Sequence, residues 1–157
     1  MIRKHVLQAN NVIGDFLSRK EVVETPVVRM MNRLVLKSLG KWLDRYNEEI
    51  EDIRAIHCLK GDKGEILYTG TGKDKSFAVA PENLKETRKA IAEFINGECA
   101  DEIAKVDWYM FTPDEKKFFE ITDEDIYNIC AVFIQGIPGV APLAGELEKS
   151  KTGDDEK

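Results

Sequence analysis

From Val28 onward the large apolar residues Val28, Met31, Val35, Leu39, Trp42, Tyr46, Ile50, Ile53 and Ile56 follow one another in steps of three and four only. That spacing draws one continuous stripe along a helix. Met30, Leu34, Leu36 and Leu43 widen the stripe in its first half, whereas most other positions between Asp44 and Arg54 are charged or polar. The pattern predicts burial on more than one side in the first half and on one side in the second. Thr25 supplies an N-cap oxygen, and Pro26 gives up an amide that would be unpaired at the first helical position. The predicted element runs from Pro26 to about Cys58, roughly 32 residues and about 48 Å at 1.5 Å per residue.

Local terms oppose this helix. Arg29 and Arg33 sit near the positive end of its dipole and Glu48, Glu49, Glu51 and Asp52 near the negative end, each unfavourable by about 0.3–1 kcal/mol. Gly40 costs about 1 kcal/mol relative to alanine. Burial of the stripe must therefore hold the helix, within the chain or against a second copy. A period of about 3.5 is compatible with coiled-coil pairing in a homo-oligomer, but the widened first half is too apolar for a two-stranded seam and favours packing inside the chain.

The rest of the chain is short elements. Residues 2–7 suggest a strand and 9–18 a helix presenting Val12, Ile13, Phe16 and Leu17, with the Val22-Val23 pair docking back on the core. After the long helix, Gly61, Gly64, Gly70 and Gly72 punctuate strand-like runs at 65–69 and 76–79, which predicts a small antiparallel meander. Pro81 opens a helix carrying Leu84, Ile91, Phe94 and Ile95, stopped at Asn96-Gly97. Alternation of Ala104, Val106, Trp108 and Met110 with polar residues predicts a strand over 103–111, paired with the meander. Thr112-Pro113-Asp114-Glu115 has the spacing of a capping box and Thr122-Asp123-Glu124-Asp125 resembles one; the helix after the second runs from Asp123 to about Gln135, burying Ile126, Ile129, Phe133 and Cys130. The expected fold is α+β: one long central helix with three or four shorter helices and a small antiparallel β-sheet. Residues 1–136 form a single domain and 137–157 a flexible acidic tail, with a docking segment at 140–143.

Charge and cysteine content narrow the function classes. The 29 acidic and 23 basic side chains leave a formal charge of −6, which repels phosphate backbones and argues against nucleic acid as a partner. The basic residues Lys4, Arg19, Lys20, Arg29, Arg33 and Lys37 read as a solvated face. The apolar runs fall short of the roughly 20 residues that cross a bilayer, and residues 1–7 hold no signal-peptide core, so a cytoplasmic protein, made where it works or carried there by an assembly, is expected. Cys58, Cys99 and Cys130 are widely spaced, which suits reduced, buried thiols. With His5 and His57 the only histidines, no zinc-type ligand set forms, and no cofactor is implied.

The motifs with chemical potential have plainer explanations. Gly70-Thr71-Gly72-Lys73-Asp74-Lys75 fails as a P-loop, since Leu67 and Asp74 stand where glycine and Ser/Thr are needed, and as a dinucleotide fingerprint, since Lys75 replaces the third glycine. His57 beside Cys58 fits a helix-capping role better than a nucleophile pair. Asp114, Glu115 and residues 123–125 are explained as cap carboxylates. Trp42, Tyr46, Trp108, Tyr109 and Phe111 are the aromatics able to anchor a partner if exposed, and Glu48, Glu49 and Asp52 form an acidic docking face. Core packing and a solvated face are their simpler roles.

The order of features resembles a family of small accessory proteins of tailed bacteriophages whose function is unknown. The resemblance is carried by Asn10-Asn11 before Val12, Ile13, Phe16 and Leu17, by Pro26-Val27 opening a long Leu- and Glu-rich helix, by the polar hairpin, by Phe94, Ile95 and Glu98, and by Thr122-Asp123-Glu124-Asp125-Ile126. It implies a non-enzymatic phage or prophage protein with a phage or host protein as partner, acting in virion assembly or host takeover. Two other readings stand beside it. One is an acidic inhibitor that presents residues 44–52 to the basic groove of a host defence or nucleic-acid enzyme; the other is a small hydrolase or ligand-binding domain in which His57, Cys58 and a carboxylate converge.

Overall fold

A computed structural model describes residues 1–19 and 23–139. The expected docking segment at 140–143, the acidic tail beyond it and Val22 lie outside the described residues. Among the described residues, five helices and a small antiparallel sheet form an α+β fold. The helices are α1 (Arg3–Ser18), the long α2 (26–56), α3 (Leu84–Asn96), α4 (Pro113–Phe119) and α5 (Glu124–Cys130).

Helix α2 begins as the sequence predicts, with Thr25 Oγ1 accepting from the Val28 amide and Pro26 at the first position. It spans 31 residues and contains a π-wound turn at Met31–Val35 between regular segments Pro26–Met30 and Leu36–Ile56. Val27, Val28, Met31, Val35, Leu39 and Trp42 are buried in its first half, and Ile50 alone is buried in its second. The stripe departs from expectation at two places. Leu34, inside the wide turn, is 49% exposed, and Ile56, in the last turn, is 75% exposed. The helix stops at Ile56, with His57 as C-cap rather than Cys58.

Residues 3–7 are helical, not a strand. Val6, Ala9, Ile13 and Phe16 recur at helical spacing and are all buried. Ile2 makes only an isolated bridge to Glu98, and the Arg3 amide, otherwise an orphan of the first turn, donates to the Gly97 carbonyl at 3.1 Å. Val23, expected to dock, is 74% exposed.

The meander forms as expected, with regular strands β1 (Tyr68–Thr69) and β2 (Ser76–Phe77) paired antiparallel. Bridges Lys60↔Ile66 and Cys58↔Val79 extend it. The amide of Leu59 donates to Ala78, that of Ala78 to Leu67 and that of Leu67 to Leu59, so the three segments close into a ring of backbone bonds. Gly64, Gly70 and Gly72 take positive φ at its turns, which glycine alone adopts freely.

The strand predicted over 103–111 is corrected. Only β3 (Val106–Asp107) is extended, and it pairs in parallel with β4 (Ile134–Gln135), not with the meander. Burial falls on Ile103, Val106 and Phe111, a spacing that breaks the alternation, while Ala104, Trp108 and Met110 are half-buried and Trp108–Met110 coils into a 3-10 turn. Ser38 Oγ also holds this segment elsewhere: it donates to the Val35 carbonyl at 2.9 Å and accepts from the Ala104 amide at 3.0 Å. Helix α4 carries the capping box, Thr112 and Glu115 bonding reciprocally. The cap of α5 is Asp123, not Thr122, and α5 ends at Cys130 rather than near Gln135, because the apolar run Val132-Phe133-Ile134 leaves the helix to enter the parallel pair.

One core cluster runs from Val6 to Ile134. Its aromatic end gathers Phe16 against Phe118 and Phe119, with ring centroids 5.2 Å apart in both cases, and Phe119 against Phe133 at 5.9 Å.

Candidate partner-binding surfaces

No group of three His, Cys, Asp or Glu side chains that could hold a metal occurs among the described residues. The sequence neighbours His57 and Cys58 are half-buried, and no side-chain hydrogen bond among the described residues ties either to a carboxylate. Cys130 is buried deeply enough to push its thiol up to about 11, which removes the thiolate needed for reactivity at neutral pH. The thiols are free. No helix among the described residues is long and apolar enough to cross a membrane.

The expected anchors separate into three groups. Trp42 and Phe111 are 3% exposed and belong to the core. Trp108 is half-buried, under the Lys116 ammonium at 5.4 Å from its ring centroid. Tyr109 is 79% exposed, the aromatic of the set most open to a partner. Tyr46 lies between these extremes, at a site that it shares with Trp42 and Glu49.

That site is an aromatic ladder beside a small cleft. Trp42 and Tyr46 share one face of α2 at i,i+4 and stack with centroids 5.2 Å apart and planes 24° apart. Phe94 of α3 continues the stack at 5.6 Å from Tyr46. Arg3 ends it, its guanidinium 4.2 Å from the Phe94 centroid and donating to the Phe94 carbonyl at 3.3 Å. Burial raises the Tyr46 phenol above its ordinary range, with the Arg54 charge pulling the other way. The buried Trp42 indole N–H donates to Cys99 Sγ at 3.1 Å. Cys99 is positioned in turn by its amide, which donates to the Met1 carbonyl at 2.9 Å. Arg45 and Asp101 form an ion pair at 2.8 Å on the rim. The cleft encloses about 220 Å³ and is also lined by Glu49 and Glu98.

The acidic cluster is divided by helix geometry. At about 100° per residue, Glu49 turns toward the ladder while Glu48 and Asp52 lie roughly 60–100° further round. Glu48, Glu49, Asp44 and Asp52 are all exposed, and none forms an ion pair among the described residues. Glu51 is different. Its carboxylate accepts from the Phe77 amide at 2.9 Å, from Arg54 at 2.6 Å and from the Ser76 hydroxyl, clamping the meander to α2. Burial acts to raise its pKa, but the bonds from Ser76, Phe77 and Arg54, with the Arg54 charge, outweigh it and hold the group below the ordinary glutamate range.

Sequence reasoning found Trp42, Tyr46 and Glu49 but missed Arg3, Phe94, Glu98 and Cys99 as their neighbours. The one signal within the chain was the i,i+4 aromatic pair, since the rest of the cleft comes from segments far apart in sequence. No protein-family model, curated protein or solved structure matches this chain.

Proposed function

We propose that this chain is a non-enzymatic accessory protein of a phage or prophage that acts by protein–protein contact in virion assembly or host takeover. One observation carries the interaction reading. Asp44, Glu48 and Asp52 follow at i,i+4 along α2, exposed and without an ion-pair partner among the described residues. Like charges at that spacing destabilise a helix by about 0.2–0.5 kcal/mol per pair, a cost that a basic partner surface would relieve while gaining electrostatic steering. The phage attribution rests on the resemblance in spacing and residue class.

The same acidic row favours one second reading, an inhibitor that lays these carboxylates into the basic groove of a host defence or nucleic-acid enzyme. The test uses the full chain and an E48K/E49K/D52K variant as baits in host and phage lysates. Capture by the parent and loss by the variant, with circular dichroism unchanged, supports the interaction reading. Inhibition of a captured enzyme selects the inhibitor. Equal capture by both baits, or turnover of a substrate abolished by one side-chain change, overturns the proposal.

A further inference from the structure

We propose that the cleft beside the Trp42–Tyr46–Phe94 ladder seats one arginine side chain of the partner protein. This deepens the interaction reading above and rests on it. The charge inventory of the cleft sets the sign of its guest. Both cations on its wall are already committed: Arg45 to Asp101 at 2.8 Å, and Arg3 to the face and carbonyl of Phe94. Two carboxylates on the same wall, Glu49 and Glu98, have no ion-pair partner among the described residues. Three carboxylates, Glu49, Glu98 and Asp101, line the cleft against two guanidiniums, Arg3 and Arg45, so its net charge is negative by one, which disfavours phosphate or carboxylate guests.

Size and wall chemistry narrow the guest further. A volume of about 220 Å³ lies below the roughly 300–1,000 Å³ of small-molecule sites and suits a single long side chain. The faces of Tyr46 and Phe94 are already covered, by Trp42, by each other and by Arg3, so the stack offers an apolar wall for the methylene stem of the guest, and the flanking carboxylates accept the parallel N–H donors that a guanidinium presents. Arginine is also among the residues that dominate buried interface anchors. Glu48 and Asp52, further round α2, would guide a basic segment toward the cleft without entering it.

The probe is an acetylated, amidated tetra-arginine peptide titrated into the full chain, with the matching tetra-glutamate peptide as control, followed by ¹H–¹⁵N NMR. The indole N–H of Trp42 reports on the cleft and that of Trp108 on the rest of the molecule. The expected result is a saturable shift of the Trp42 indole and of the Glu49 and Glu98 amides with the arginine peptide only, with Trp108 unmoved. An E49Q/E98Q variant with unchanged circular dichroism should bind at least tenfold more weakly. Shifts confined to Glu48 and Asp52, or equal binding by the variant, overturn the cleft assignment while leaving the acidic-face reading intact. The absence of any shift at millimolar peptide also overturns the cleft. Failure of the broader reading shows separately, as equal lysate capture by the charge-reversed bait.

Discussion

Replacing Glu51 with alanine removes the acceptor that ties the meander to the long helix. The carboxylate takes hydrogen bonds from the Ser76 hydroxyl, the Phe77 amide and Arg54. A hydrogen bond to a charged group contributes about 1.5–3 kcal/mol, but three such values do not add here. The Glu51 and Arg54 side chains retain 29% and 36% of their exposure, so solvent screens the ion pair, and the half-buried Ser76 and Phe77 can recruit water once the carboxylate is gone. A net loss of about 2 kcal/mol follows, which at a urea m-value of about 2 kcal/mol/M lowers the midpoint by about 1 M. The pH dependence supplies a second readout. Because the folded Glu51 pKa is depressed, its contribution is fully present above the ordinary glutamate value of about 4.3 and is lost as pH falls through the folded value. The gap between parent and E51A should therefore hold constant from neutral pH to about 4.3 and close below it. Amide exchange at Leu59, Phe77 and Ala78 should accelerate more than exchange at Leu39, since the opening is local. A midpoint change below about 0.2 M, or a gap that does not narrow in acid, would refute the clamp.

Two further outcomes follow from burial and backbone geometry. A β-carbon added at Gly40 meets nothing within 4 Å, so Gly40→Ala should stabilise the protein by about 0.5–1 kcal/mol in thermal or urea unfolding; a loss of stability would mean that the helix needs the glycine. Among the three thiols, Cys58 is half-buried whereas Cys99 and Cys130 are buried. An aromatic disulfide reagent at neutral pH should titrate Cys58 in the native protein within minutes and all three only in denaturant; prompt labelling of Cys130 in the native protein would contradict its packing.

The start of the long helix was readable from sequence because its cap, its proline and its stripe all point the same way. The capping box at Thr112 was readable from its spacing and the meander from its glycine turns, whereas the helix predicted to open at Pro81 starts at Leu84, after a 3-10 turn over Pro81–Asn83. Where prediction failed, the deciding contact came from a distant segment. Residues 2–7 look extended locally, but the Gly97 carbonyl caps their first turn. The alternation after Ile103 suggests a long strand, but Ser38 and the parallel partner at Ile134–Gln135 hold only two of its residues extended. The candidate site was half visible: one helix face displays Trp42, Tyr46 and Glu49, but no spacing rule brings Arg3, Phe94 and Glu98 to them.

The packing of α1 has a consequence for synthesis. Its buried face meets α3 and α5, and Phe16 closes against Phe111, Phe118 and Phe119. At about 5–20 residues per second on the ribosome, a stretch of about 100 residues takes roughly 5–20 s to emerge. For that interval the nascent chain must carry Val6, Ala9, Ile13 and Phe16 without their native cover. Helix α1, made before the elements that cover it, is thus among the last to dock.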